Sequence, residues 1–218
     1  MTVTRGRFIT FDGGEGTGKS TQAGLLADAL RRMGLAVVLT REPGGSAGGE
    51  AIRAFIKTAT GIDWAPTTEA LLHYAARIDH LERVIRPALA AGSWVVCDRF
   101  ADSTRAYQGY GQGLDLTWLD SLEDLLIADD RPDLTLVFDL GMDAVARRLA
   151  EREEASDDRY ERLDRAFHRR VREGFAHIAA AHPDRCVVID ADGSRDAVHA
   201  RVVAAVRERL GGDAGAPE

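Results

Sequence analysis

Lysine is almost missing from this chain. Arginine fills nearly every cationic position, and only Lys19 and Lys57 carry an amine. An amine retained at 19 therefore points to a role specific to that group. A surplus of positive charge is lacking too: 35 acidic residues against 28 basic ones give a net charge of −7. That excludes the basic field of a non-specific nucleic-acid binder, so any anion must be held locally. No segment approaches the roughly 18 apolar residues of a membrane span, and the N-terminus lacks the apolar run of a signal peptide. Cysteine is scarce. Cys97 and Cys186 each sit inside an apolar run, WVVCD and RCVVID, as small buried hydrophobes, and a reducing cytoplasm follows as the default compartment. A soluble cytoplasmic protein with no nucleic-acid or membrane partner is expected.

What is present suits one core: 218 residues, 45% of them hydrophobic, lie within the range of a single domain. One domain is expected over residues 1–210, with GGDAGAPE at 211–218 a flexible tail because it has too few apolar groups to anchor it. Short β-type runs recur at Arg7–Phe11, Ala36–Thr40, Trp94–Asp98, Leu134–Asp139 and Arg185–Asp190. Each is apolar nearly throughout, as in a parallel sheet covered on both faces. Helical periodicity appears between them at Lys19–Met33, Ser46–Ala59, Thr67–Ala91, Thr117–Ile127, Asp143–Arg152, Tyr160–Ala181 and Arg195–Leu210. The alternation predicts an α/β fold: an open five-stranded parallel sheet, doubly wound by right-handed crossovers. Ligands bind such sheets beyond the carboxyl ends of the strands, where Asp12, Arg41, Glu42 and Asp98 would share one rim.

The segment GGEGTGKS at 13–20 follows the strand RFITF and opens a helix, which is the context a G-x-x-x-x-G-K-[ST] phosphate loop requires. Gly13, Gly14, Gly16 and Gly18 allow successive backbone N–H groups to turn inward as an anion nest. Lys19 reaches the β/γ-phosphates and the Ser20 hydroxyl ligates Mg²⁺. Glu15, Thr17 and Thr21 complete the ATP-binding run. Asp98-Arg99 ends the third strand, setting a carboxylate and a guanidinium beside this loop, suited to a metal-bound water and an acceptor phosphate; a strand-end ion pair is the other reading. No N-K-x-D guanine motif occurs.

From GGEGTGKSTQ through TREPGGS, LLHYAAR and DRFADSTRAYQG to the arginine-rich stretch around Arg152–Arg159, the chain resembles bacterial thymidylate kinase over nearly its whole length. The resemblance implies a P-loop NTPase fold, ATP as donor with Mg²⁺, dTMP as acceptor, dTDP as product, and a homodimer formed through helices beside the sheet. It assigns Arg99 to the thymidylate phosphate and places Glu15 near the acceptor sugar.

In TREPGGS, proline and the glycine pair make a turn able to aim Glu42 into the cleft, although the residues alone fit an ordinary loop. The resemblance makes this turn part of the acceptor site, with Arg53 on the next helix facing the phosphate. His73 and Arg77, four apart on one helix, share a face. The family stacks an aromatic, usually phenylalanine, on thymine at the first position and contacts the base with arginine at the second, so His73 is a departure that brings a group titrating near neutrality. Thr104 and Gln108 resemble the pyrimidine-edge contacts, and Tyr107 the residue crowding the ribose 2′ side. Because Gly16 stands where some relatives carry arginine, the missing cation is expected from a lid at about 150–160, and the resemblance to bacterial members with that glycine implies Arg159 as catalytic arginine and Arg152 as second candidate. Asp12 and Asp139, also at strand ends, are read as caps of helices or turns.

Overall fold

The computed structural model describes residues 4–58, 64–150 and 164–211. Its sheet comprises β1 (Phe8–Gly13), β2 (Val37–Arg41), β3 (Trp94–Asp98), β4 (Leu134–Asp139) and β5 (Cys186–Asp190), all parallel, in the order β2-β3-β1-β4-β5. The five strands lie where their apolar runs put them, within one or two residues.

Alternation along the strands feeds two apolar layers. Ile9, Phe11, Val96, Leu136 and Phe138 pack under α1 (Lys19–Arg32) and α9 (Arg195–Leu210). Phe8, Val95 and Cys97 face the other way, toward Leu81, Ile85, Leu89 and Phe100. The central strands are buried except at the last residues of β3 and β4, but β2 and β5 are edges, and Leu39 and Val188 are exposed on them. A run apolar on both faces thus did not distinguish edge from centre.

The helices between strands are α2 (Ala47–Thr58), α3 (Pro66–His80), α4 (Arg86–Ala90), α5 (Ala101–Thr104), α6 (Leu116–Ile127), α7 (Met142–Ala150) and α8 (Arg165–Ala181). The single helix expected over Thr67–Ala91 is broken: a π turn at Leu81–Ile85 separates α3 from α4. Pro87 supplies no N–H to the turn before it, and a widened turn accommodates that loss. A second π turn, Arg105–Gly111, extends α5. Asp164 caps α8 by accepting the Phe167 N–H at 2.7 Å. The expected lid with Arg152 and Arg159, the start of the helix expected from Tyr160, and tail residues 212–218 lie outside the described residues.

After β1 the chain leaves toward β2, and after β3 it leaves toward β4. Neighbouring strands whose connections run in opposite directions open a crevice at their carboxyl ends. Phe11 pairs in register with Asp98 there, so the GGEGTGKS loop and Asp98-Arg99 meet.

Candidate active site

The loop at 13–18 is shaped by glycine where side chains cannot go. Gly13 has φ 139°, and a Cβ on it would lie 2.5 Å from the Phe138 carbonyl oxygen; Gly18, at φ 90°, turns the chain into α1. The Lys19 ammonium, 6% exposed, folds back over this loop and donates to the Gly14 carbonyl at 2.5 Å and the Thr17 hydroxyl at 3.3 Å. Burial, then the Arg99 guanidinium, pushes its pKa down to about 8 against the opposing pull of Glu15 and Asp98. The Ser20 hydroxyl donates to Asp98 Oδ2, while Asp98 Oδ1 is buried without a partner among the described residues.

Arg99 takes φ 70°, a left-handed conformation that costs a non-glycine residue about 1–3 kcal/mol. That turn lets it reach back across the crevice. Nη1 donates to the Gly13 carbonyl at 3.0 Å and to Ser103 Oγ at 3.2 Å, and Nη2 donates to Glu15 Oε1 at 2.5 Å and to Tyr107 Oη at 3.2 Å. The Tyr107 hydroxyl donates to the same Glu15 oxygen at 2.8 Å, closing a triangle. Burial alone would raise the Glu15 carboxyl, but Arg99, then Lys19 and the Tyr107 hydroxyl, hold it down to about 2.

Across the cleft, Arg77 is buried on α3 and set by three partners: Nε donates to Glu42 Oε2 at 2.7 Å, and Nη2 to the Phe100 carbonyl and Thr104 Oγ1, both at 3.1 Å. Its Nη1 is buried and has no partner among the described residues. Arg53 Nη1 donates to the Pro43 carbonyl at 2.8 Å, fastening α2 to the turn after β2.

These groups converge. One cavity of about 330 Å³ is bordered by Glu15, Gly16, Gly18, Lys19, Ser20, Thr21, Glu42, Arg53, His73, Arg77, Asp98, Arg99, Thr104, Tyr107 and Gln108. Gly14 and Thr17 instead border a smaller cavity of about 90 Å³ with Phe138, His168 and Arg172, and Glu15 borders both. Of the expected rim, Arg41, Glu42 and Asp98 line the larger cavity. Asp12 lies behind it: its Oδ1 accepts the Ser103 hydroxyl at 2.5 Å, and burial, then Asp102, raises its pKa to about 6. Asp139 pairs with Arg172 at 2.5 and 2.9 Å.

Three features escape the sequence patterns. Lys57 also borders the cavity. Arg148, on α7, donates to the carbonyls of Thr17 at 3.4 Å and Ala191 at 2.8 Å, tying the phosphate loop to the segment after β5. His80, fully buried, hydrogen-bonds Glu42 from behind. Lys57 shows in the sequence only as the second of two lysines, and His80 only as a residue three beyond Arg77 on one helical face.

The family model described as thymidylate kinase matches residues 11–202. Over 209 residues the chain is 51% identical to the thymidylate kinase of Caulobacter vibrioides, spanning 96% of this chain and all of that protein. It is 50% identical over 206 residues to the thymidylate kinase of Nitrobacter winogradskyi, spanning 94% and 90%. Among solved structures, thymidylate kinase from Ehrlichia chaffeensis aligns with a TM-score of 0.76 at 38% identity, spanning 93% of this chain and 99% of that one.

Proposed function

The chain belongs to the thymidylate kinase family, and on that footing we propose how its cleft moves the γ-phosphoryl group of ATP to dTMP, giving dTDP and ADP. The observation that carries the acceptor assignment is the free N–H pair of Arg77 Nη1 in the cavity wall. A buried donor left unmatched costs about 1–3 kcal/mol, more when charged. A carbonyl at the edge of thymine relieves it. Cytosine, with an amino group at C4, would set donor against donor. Thr104 and Gln108 border the same edge, and His73 stands where a ring can stack on the base.

Arg53 and Arg99 hold the acceptor phosphate, Glu15 faces the sugar, and Tyr107 crowds the ribose 2′ side, favouring a deoxyribose. On the donor side Gly13, Gly14, Glu15, Gly16, Thr17, Gly18, Lys19, Ser20 and Thr21 wrap the phosphates, and Lys19 exchanges the Gly14 carbonyl for phosphate oxygens. An oxygen of dTMP phosphate attacks the γ-phosphorus in line. The new P–O bond forms as the bond to the β,γ-bridging oxygen breaks, and ADP leaves with that electron pair. No general base is needed, because a phosphate monoester with a second pKa of about 6 is already ionised. Lys19 and Arg99 offset the charge spread over the transferred group, joined by Arg159 from the lid.

Ser20 and the unpartnered Asp98 Oδ1 suit Mg²⁺ carried in with ATP, Ser20 as ligand and Asp98 through water. When bound, the ion neutralises phosphate charge and fixes the geometry of the triphosphate. Two buried thiols, Cys97 and Cys186, fit work in the reducing cytoplasm.

ADP formation measured with and without dTMP tests this reading. Turnover should depend on the acceptor. ATP hydrolysis that proceeds equally well without dTMP would assign the loop to a nucleotide-driven switch or motor instead.

A further inference from the structure

His80 does not border the cavity, yet it touches the group that sets Arg77. Its ring is fully buried between the turn after β2 and the end of α3. Nδ1 lies 3.0 Å from Glu42 Oε1, and Nε2 lies 2.7 Å from Thr40 Oγ1. Glu42, engaged by the Arg77 guanidinium, can only accept, so His80 Nδ1 carries the proton and donates. The two carboxylate oxygens are thereby divided: Oε2 takes Arg77 Nε and Oε1 takes the imidazole.

The backbone makes room for this ring. A Cβ on Gly45 would lie 2.3 Å from His80 Nε2 and 2.5 Å from Thr40 Oγ1, and Gly45 sits at φ +80°. Two independent constraints therefore select glycine there, and one of them is the imidazole itself. Without the Nδ1 bond, Glu42 Oε1 would be a buried acceptor short of a partner and the carboxylate free to rotate. The Nε bond of Arg77 would lose its fixed direction, leaving the guanidinium held through Nη2 alone and the unpaired Nη1 less firmly aimed.

We propose that His80 is a positioning residue for acceptor recognition, acting through Glu42 to fix the direction in which Arg77 presents its free N–H groups. This rests on the reading of Arg77 as the base-reading residue. A histidine that merely filled space would affect stability and both substrates alike. A positioning histidine affects dTMP.

Asparagine and glutamine separate the two cases, because the amide nitrogen of asparagine can stand where Nδ1 was and that of glutamine where Nε2 was. With wild type first shown to be a dTMP kinase, KM for dTMP and for ATP and the kcat/KM ratio of dTMP to dCMP are measured for His80→Asn, His80→Gln and His80→Leu. The expected result is that Asn keeps KM for dTMP within about threefold of wild type. Gln and Leu raise it about tenfold or more, the scale of a lost hydrogen bond to a charged group, lower the dTMP-to-dCMP ratio, and leave KM for ATP unchanged. Should the leucine variant not fold, the two amides decide. Glutamine matching or outperforming asparagine, or both substrates weakened together, overturns the role of His80. Wild type that fails to phosphorylate dTMP overturns the functional reading instead.

Discussion

At the scale of single residues, scarcity was the most informative signal. Lys19 was legible because arginine had taken almost every other cationic position, and the structure finds its amine buried over the loop with its pKa lowered to about 8. The sign of the pH effect follows. In the nucleotide-free protein the ammonium is held below pH about 8, so ATP affinity should fall as pH rises through that value. For folding the same shift runs the other way: a buried charged amine is unfavourable below about 8, and the penalty fades as pH approaches the ordinary value of 10.5. Lys19→Ala should therefore lower kcat by roughly a thousandfold or more, the scale of a lost charge contact in the transition state, with a Tm at pH 7 no lower than wild type. Near-normal turnover in the folded variant would falsify the role given to Lys19. His80 was not legible in the same way. Its partners Glu42 and Thr40 lie 38 and 40 residues away in the chain, and a histidine on a helix most often reads as ordinary core.

At the scale of elements, strands were legible because their apolar runs are continuous, whereas interruptions in helices were not. The π turn at Leu81–Ile85 stays hidden because Arg77, Leu81, Ile85 and Leu89 are buried at spacings of four, which an uninterrupted helix also allows. The stretch from Ala101 to Gly111, which carries Thr104, Tyr107 and Gln108, is short, polar and glycine-containing, so local propensity does not announce a helix. Its glycines answer to distant packing: a Cβ on Gly111 would lie 2.6 Å from Phe167 on α8, and one on Gly109 would lie 2.6 Å from Leu116 on α6. Those contacts are invisible until the helices are in place. Exposed apolar side chains remain on α2, α3 and α6, namely Phe55, Leu71 and Leu125, the last 79% exposed. Such side chains on helices beside the sheet are what the homodimer implied by the family resemblance would cover. Light scattering should return about twice the 23.7 kDa chain mass. A mass near one chain at micromolar concentration contradicts it.

At the scale of the whole molecule, net charge and local charge oppose one another. The chain carries −7, but among the described residues Lys19, Arg41, Arg53, Lys57, Arg77 and Arg99 border the cavity, twice the number of its carboxylates, Glu15, Glu42 and Asp98. That surplus of positive charge suits the cavity to anions, and in the proposed function the phosphates of donor and acceptor would meet there. Phosphate binding alone would suit many kinases. In the proposed function, choice of acceptor rests on the base edge met by Arg77, Thr104 and Gln108. The direct measurement is kcat/KM with ATP for dTMP, dUMP, dCMP and dGMP. The account predicts dTMP first, dUMP behind it by roughly tenfold for the missing methyl, and dCMP lower by a further hundredfold or so for the reversed donor. Phosphorylation of dTMP no faster than of dUMP, dCMP or dGMP would contradict it.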